Sequence, residues 1–543
     1  MRDVDRRRFL TLGAAALAGA VVQLPSTSES QIPKRGEIFR ICLASDPIGF
    51  DPHLSIAAST FICLSCTHSR LVRHRAGPDV VPGTLRVEGD LAESWVREGD
   101  ISYVFTLRKG VRWHNKPPVN GRELTAEDVK YSYDRFRTIE GNGFRTLLEE
   151  VQRIDVLDRH RLRFTLRAPF AWLVDSLAST VTWIVPREAI ERWGDLRRPE
   201  ACIGTGPWML ERYDPNVRCT FVRNPEYFVP GLPYVDGIDF AIDGDPSSRL
   251  ASWLSGHYDF APEYGMVVRR LDLDIARRRR PGLQTAEYIS LLGMFVAVKL
   301  DQAPFRDVRV RRAMAMAGDW KELLAASPYA LGHGAPNPAV PAGLTEWSIP
   351  VDQLTPLGRR LSEEHAADGR RLLADAGYPT GFKTTLESTA YSTDYLDSLQ
   401  VALTHWKAIG IDIDLRLKER GAFLATGARG RFDRTMASLR GLSLFPDPYL
   451  AGFHLPGDPL NLSGVEDPRL TQMIRLQRRT FEPNRRRELV FDIQRYLAEQ
   501  AYYLYAGPSA KVVAGWEPYV RNFGPNHGND YGGRLVAAWI DRA

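Results

Sequence analysis

Cys63 and Cys66 form a C-x-x-C pair, a spacing that could hold a soft metal or carry a redox couple. A structural zinc site needs a second such half and none follows, so the pair reads as a buried helical pair or a local disulfide. The chain has 11 histidines but no H-E-x-x-H, so two imidazoles one helical turn apart with a glutamate base, as a zinc protease needs, are not on offer. Gly141-Asn142-Gly143 and Gly332-His333-Gly334 each lack the third glycine of a dinucleotide loop, and no G-x-S-x-G elbow exposes a serine nucleophile. His114 follows a strand and reads as a surface histidine rather than a ligand. Residues 277–280 are four arginines just before Pro281, where cations suit the carbonyl end of a helix. Without interleaved aromatics they read as a solvated helix end, not a nucleic-acid patch. Covalent and metal chemistry thus have no signature here, and recognition is left.

The elements that would position a recognition site are plentiful. At 543 residues, 44% hydrophobic and 25% charged, the chain exceeds one hydrophobic core and should divide into two or three lobes. Residues 1–25 carry Arg6, Arg7 and Arg8 before Phe9 and Leu10, then an alanine-rich apolar stretch with Ala18-Gly19-Ala20 as a small-residue cleavage site. This resembles a twin-arginine export signal. No cysteine lies near the cleavage site to carry a lipid, and no later apolar run reaches the ~20 residues of a membrane span. The mature chain is therefore expected to be soluble and periplasmic. Removing four arginines and two aspartates with the leader takes the net charge from +5 to +3, too mild to imply nucleic acid. Five cysteines, Cys42, Cys63, Cys66, Cys202 and Cys219, permit disulfides but leave at least one unpaired.

Residues 204–227, GTGPWMLERYDPNVRCTFVRNPEY, mark a pivot. A strand from Trp208 meets the turn residues Asp214, Pro215 and Asn216, and the chain returns with Val217, Cys219 and Phe221 on one face. Upstream, Ile101, Tyr103, Phe105 and Leu107 alternate with polar or smaller neighbours as a half-buried strand, and Thr125 to Asp128 reads as the capping box of a helix carrying Val129, Tyr133 and Phe136. Downstream, Val310, Ala313, Met314 and Ala317 form a core-facing helical stripe, as do Leu396, Leu399, Leu403 and Trp406, and Ile411, Ile413, Leu415 and Leu417 alternate as a strand. Strands alternating with helices predict an α/β protein.

Four stretches, in order, resemble the extracellular solute-binding proteins of family 5, which serve ABC importers of peptides, nickel and related ligands. They are LAESWVREGDISYVFTLRKGVRWHNKPPVNGRELTAEDVKYSYDRF (91–136), GTGPW with RNPEYF (204–228), PFRDVRVRRAMAMAGD (304–319) and LLADAGYPTGF (372–382). The resemblance implies a two-lobed α/β periplasmic binding protein fold of type II, cluster C-like, with an extra inserted domain. The implied division is residues 36–75, 204–293 and 510–543 for the first lobe, 76–203 for the inserted domain and 294–509 for the second lobe. It also implies a monomer without cofactor that closes on its ligand and is recognised by membrane permease subunits.

The same resemblance locates the cleft at Ser55 and Ala58 after the first strand, Glu263 and Tyr264, Tyr391, Arg420, Arg440, Leu444 and Phe445. Peptide binders of the family hold the peptide amino group with an acid three residues before an acid-Pro pair. Here the pair is Asp447-Pro448 and the aligned residue is Leu444, which cannot give a charge-assisted bond to an ammonium. An unmodified peptide would need another acid such as Glu263. Arg420 and Arg440 would suit a carboxylate or phosphate on the ligand. A nickel or other metal-chelate ligand is the alternative within the family, and a twin-arginine-exported periplasmic enzyme is the alternative of another class.

Overall fold

A computed structural model describes residues 32–542 apart from 85, 262–267, 269, 319–321, 324–333, 336–338, 392, 442 and 506–508. The leader at 1–25, and Glu263 and Tyr264, lie outside the described residues.

The expected first lobe carries a four-stranded sheet in which Ile38–Leu43 runs parallel to Gly237–Ile242, followed by Arg218–Arg223 and then Trp208–Asp214, both antiparallel. The last two strands are the pivot hairpin. Its turn closes through Val217 N–H to Asp214 O at 3.1 Å, with Asn216 at φ 60° in the left-handed region that asparagine tolerates. Cys219 and Phe221 are buried as the alternation requires, but Val217 is 52% exposed because it belongs to the turn, one residue before the strand begins.

Glycines decide how tightly the pivot seats. A Cβ on Gly204 would lie 1.9 Å from Thr67 O, and one on Gly206 would lie 2.5 Å from Thr67 C. Only glycine lets this backbone meet the end of helix Ala58–Thr67 so closely. His114 locks the contact. Its Nδ1 accepts from Gly204 N–H at 3.2 Å, leaving Nε2–H to donate to Gly206 O at 3.2 Å. His114 is 0% exposed, so the surface reading is corrected: burial holds its pKa down to about 3 and keeps the imidazole neutral, the form this pair of bonds requires.

Between the first strand and the pivot, Ala92–Arg97, Ser102–Leu107, Arg161–Leu166 and Val151–Asp158 form an antiparallel sheet in that spatial order. Tyr103, Phe105 and Leu107 face its core. Helix Ala126–Thr138 packs against this sheet and starts with the expected box, Thr125 N–H donating to Asp128 at 2.9 Å.

The second-lobe sheet runs Ile411–Lys418, Phe382–Thr389, Thr435–Leu439, Met294–Val298, Tyr503–Leu504. The first three are mutually parallel, Met294–Val298 is antiparallel to them, and Tyr503–Leu504 is antiparallel to Met294–Val298. The chain enters this sheet directly after Gln284–Ile289 and leaves it directly before Ser509–Trp516, and those two strands pair antiparallel outside it. Entry and exit are therefore neighbours twice over, as a two-strand crossing between lobes demands.

All five cysteines are buried free thiols. Cys63 and Cys66 share helix Ala58–Thr67, so of the two readings the helical pair is the one realised. The arginine run does end a helix, Arg270–Arg279, but Arg280 is not solvated: it pairs with Glu517 and lies 4.9 Å over the Trp253 ring.

Candidate ligand-binding site

In an open sheet with parallel strands, ligands gather where the strands end, because loops leave there and the chain reverses direction away from the core. In the second-lobe sheet, Tyr391, Arg420 and Arg440 fall just past the carboxyl ends of the three adjacent parallel strands Phe382–Thr389, Ile411–Lys418 and Thr435–Leu439. Three residues far apart in sequence thus meet at one edge. The entry and exit to the other lobe leave from that edge as well: Arg440 N–H bonds Gly293 O at 2.9 Å, and its guanidinium lies 4.8 Å from the Tyr505 ring.

The three differ in freedom. Arg420 opens helix Arg420–Ala425, which Glu419 caps by accepting from Gly421 N–H and Ala422 N–H at 2.8 Å each. Its exposed guanidinium sits 5.5 Å over Tyr391, whose hydroxyl shares a 2.9 Å hydrogen bond with Ser438 Oγ. The phenol and the cation are thus held as one unit, a platform for a planar anionic group. Arg440 is 1% exposed, donates to Ala339 O at 2.6 Å and lies over Tyr449 and Tyr505. Burial lowers its pKa, against which the two phenols act. It is built into the wall.

Leu444 lies at the junction with the other lobe, since a Cβ on Gly528 would sit 3.7 Å from its Cδ2. Phe445 is buried with its ring 5.8 Å from Trp172 of the inserted segment. Asp447 is not available to a ligand. Its oxygens accept Gln477 Nε2–H at 2.6 Å and Arg478 Nε–H at 3.0 Å.

Ser55 and Ala58 lie in and just after a loop of the expected first lobe. Ser55 is buried, its Oγ accepting Ala57 N–H at 3.1 Å, and the loop around it is tied to the inserted segment. Asp51 takes a two-pronged bond from Arg135 at 3.0 and 2.6 Å, and Arg135 also donates to His53 Nδ1 at 2.8 Å. Burial, then the adjacent Arg135 charge, pushes His53 down to about 4, so it is neutral and its Nε2–H serves Trp183 O at 3.0 Å. Among the described contacts, none joins Ser55 or Ala58 to the second lobe.

The family profile described as bacterial extracellular solute-binding proteins, family 5 Middle, matches residues 86–459. The chain belongs to this family. Similar proteins include a dipeptide-binding protein of Pseudomonas aeruginosa, 26% identical, with 95% of this chain and 98% of the relative covered. Among solved structures, DppA of Helicobacter pylori in complex with the peptide STSA superposes with a TM-score of 0.77 at 20% identity, covering 94% of this chain and 99% of the other. AgaA of A. tumefacien in complex with agropinic acid gives 0.78 at 21%, covering 93% and 99%. At these identities the structural likeness shows the fold, which is the two-lobed periplasmic binding protein fold of the family 5 type.

Within that family 5 fold the sequence reading missed Trp172, Gln477 and Arg478, which join the inserted segment to the second lobe. The signal available was weak: Trp172 sits in the apolar run 170–174, FAWLV, which matches no motif, and its partner Gln477 is 305 residues away.

Proposed function

We propose that this chain is the periplasmic solute-binding component of an ABC importer, capturing a peptide-like or other small polar solute with an anionic group and presenting it to a membrane permease. Residues 36–75, 204–293 and 510–543 form the first lobe, 76–203 the inserted domain and 294–509 the second lobe, and twin-arginine export delivers the chain. The solute binds between the lobes and shifts the population toward the closed form because it touches both. The observation that carries this reading is the convergence of Tyr391, Arg420 and Arg440 on the carboxyl edge of three neighbouring strands, beside the crossing to the first lobe. The outward-facing Arg420 at that edge, with Leu444 where an ammonium-binding acid would stand, favours an anionic group as the recognised end. Relatives named for dipeptides and a structure holding agropinic acid fit a solute of this class.

Native mass spectrometry of purified protein identifies the solute that co-purifies, and calorimetry then measures it against Arg420→Ala. That side chain is exposed, so its loss should leave the fold intact and weaken binding roughly tenfold, ~1.4 kcal/mol. Unchanged affinity in both Arg420→Ala and Arg440→Ala would remove the anionic-end reading.

A further inference from the structure

The inserted segment and the second lobe are joined by a compact set of contacts that lies outside the crossing strands. Trp172, at the start of helix Leu173–Leu177, has its ring 4.9 Å from Trp347 and 5.8 Å from Phe445. Arg486 lies 4.1 Å over Trp172 and 5.6 Å over Trp347, and donates to Ala171 O at 2.9 Å. The Trp172 indole N–H donates to Gln477 Oε1 at 2.7 Å, and Ala171 N–H donates to Arg478 O at 2.7 Å. Arg478 bridges Asp447 on its own lobe and Glu149 on the inserted segment.

Two properties of this set stand out physically. The Trp172 indole, the Ala171 amide and carbonyl and the Arg478 guanidinium are each bonded across or beside the contact, so the two sides are tied directly to each other. Its composition, tryptophan and arginine around a buried Arg478–Asp447 pair with the exposed carboxylate of Glu149 at the rim, is closer to that of an interface between parts than to an aliphatic core. Residues from the two sides are held by side-chain bonds and one backbone pair, whereas the covalent crossing between lobes is at Gln284–Ile289 and Ser509–Trp516. Closure about that crossing would make or break the set as a unit.

We propose that these residues form a clasp that holds the closed form independently of solute, so that part of the apparent affinity is set by the clasp and not by solute contacts. The inference rests on the reading of the protein as one that works by lobe closure. If the clasp is weakened, the binding-competent closed form is populated less and the apparent dissociation constant rises by that fraction.

The test needs no solute, so it fails or succeeds separately from the binding assignment. Solute-free protein, stripped by unfolding and refolding, is compared as wild type, Trp172→Leu and Glu149→Gln by small-angle scattering and by hydrogen exchange of peptides containing the Ala171 amide. The Glu149 carboxylate is partly exposed, 40%, so Glu149→Gln is the variant that keeps the fold if Trp172→Leu does not. The expected result is a wild type with a protected Ala171 amide and a small radius of gyration, and variants in which that protection is lost and the radius grows while Glu149→Gln keeps the melting temperature of wild type. A wild type whose Ala171 amide exchanges freely, or variants with unchanged radius and protection, would overturn the clasp.

Discussion

The pivot at Gly204–Gly206, where the chain seats on helix Ala58–Thr67 with His114 of the inserted segment against it, and the contact at Trp172, where the inserted segment meets the second lobe, are built oppositely. At the pivot, backbone lies on backbone: two glycines touch Thr67, and a neutral buried histidine satisfies both of their polar groups. At Trp172 the surfaces meet through rings and guanidinium groups with charged partners. A backbone contact without side chains between has no intermediate position, because any displacement opens a gap or a clash. Side-chain stacks and ion pairs can separate and reform, since each partner can be solvated when apart. The first contact is suited to fixing the returning chain on helix Ala58–Thr67, the second to a joint that moves.

The largest effect that would break this comparison comes at the pivot. Gly204→Ala places a methyl within 1.9 Å of Thr67 O and should cost more than ~4 kcal/mol, read as loss of soluble protein or a collapse of the urea midpoint. Trp172→Leu, by contrast, should cost no more than ~3 kcal/mol and leave a cooperative transition. If both variants unfold alike, the two joints are equally structural.

Acidification sharpens the contrast next. His53, His68, His74, His114, His454 and His527 are held down to about 3 or 4, burial being the first cause in each. An unfolded histidine titrates near ~6.5, so the stability these neutral rings contribute is present above that pH and lost as pH falls from there toward about 3. Asp175 and Asp458 are raised to about 6 by burial and act in the opposite sense, favouring the fold as they protonate. Asp90, Glu150 and Glu517 are raised as well, but the unfolded value of all six histidines lies inside the window, so urea stability should fall between pH 7 and pH 5, and His114→Ala should lower it at pH 7 by ~1–3 kcal/mol while flattening the pH slope. A stability that rises on acidification would contradict the assignment of buried neutral histidines.

The smallest effect belongs to the ligand edge. Arg420→Ala, on an exposed side chain at the start of a short helix, should change unfolding stability by less than ~0.5 kcal/mol. A larger loss would mean that the Tyr391–Arg420 unit is a structural joint of the same kind as Trp172.

The elements legible in the sequence were those whose cause is local. The alternation of Tyr103, Phe105 and Leu107, and the cap formed by Thr125 and Asp128, depend on neighbours a few residues away, and they stand as expected. His114, Val217 and Arg280 departed from expectation because their surroundings come from elsewhere in the chain: a glycine turn 90 residues on for His114, a turn boundary for Val217 and Glu517 for Arg280. The candidate site was half legible. The resemblance named Tyr391, Arg420 and Arg440, which sheet order sets along one edge, whereas Ser55 bonds only within its own loop.

By itself the sequence determined that the chain is an α/β protein of the family 5 solute-binding type. Periodicity, capping and glycine placement act over short distances and are written locally. Only the tertiary structure decided which charges are spent on the protein itself, Asp447 on Gln477 and Arg478 and Arg440 on a carbonyl and two rings, and which, like Arg420, face outward. That division is set by desolvation and partner geometry across hundreds of residues, which no local pattern encodes.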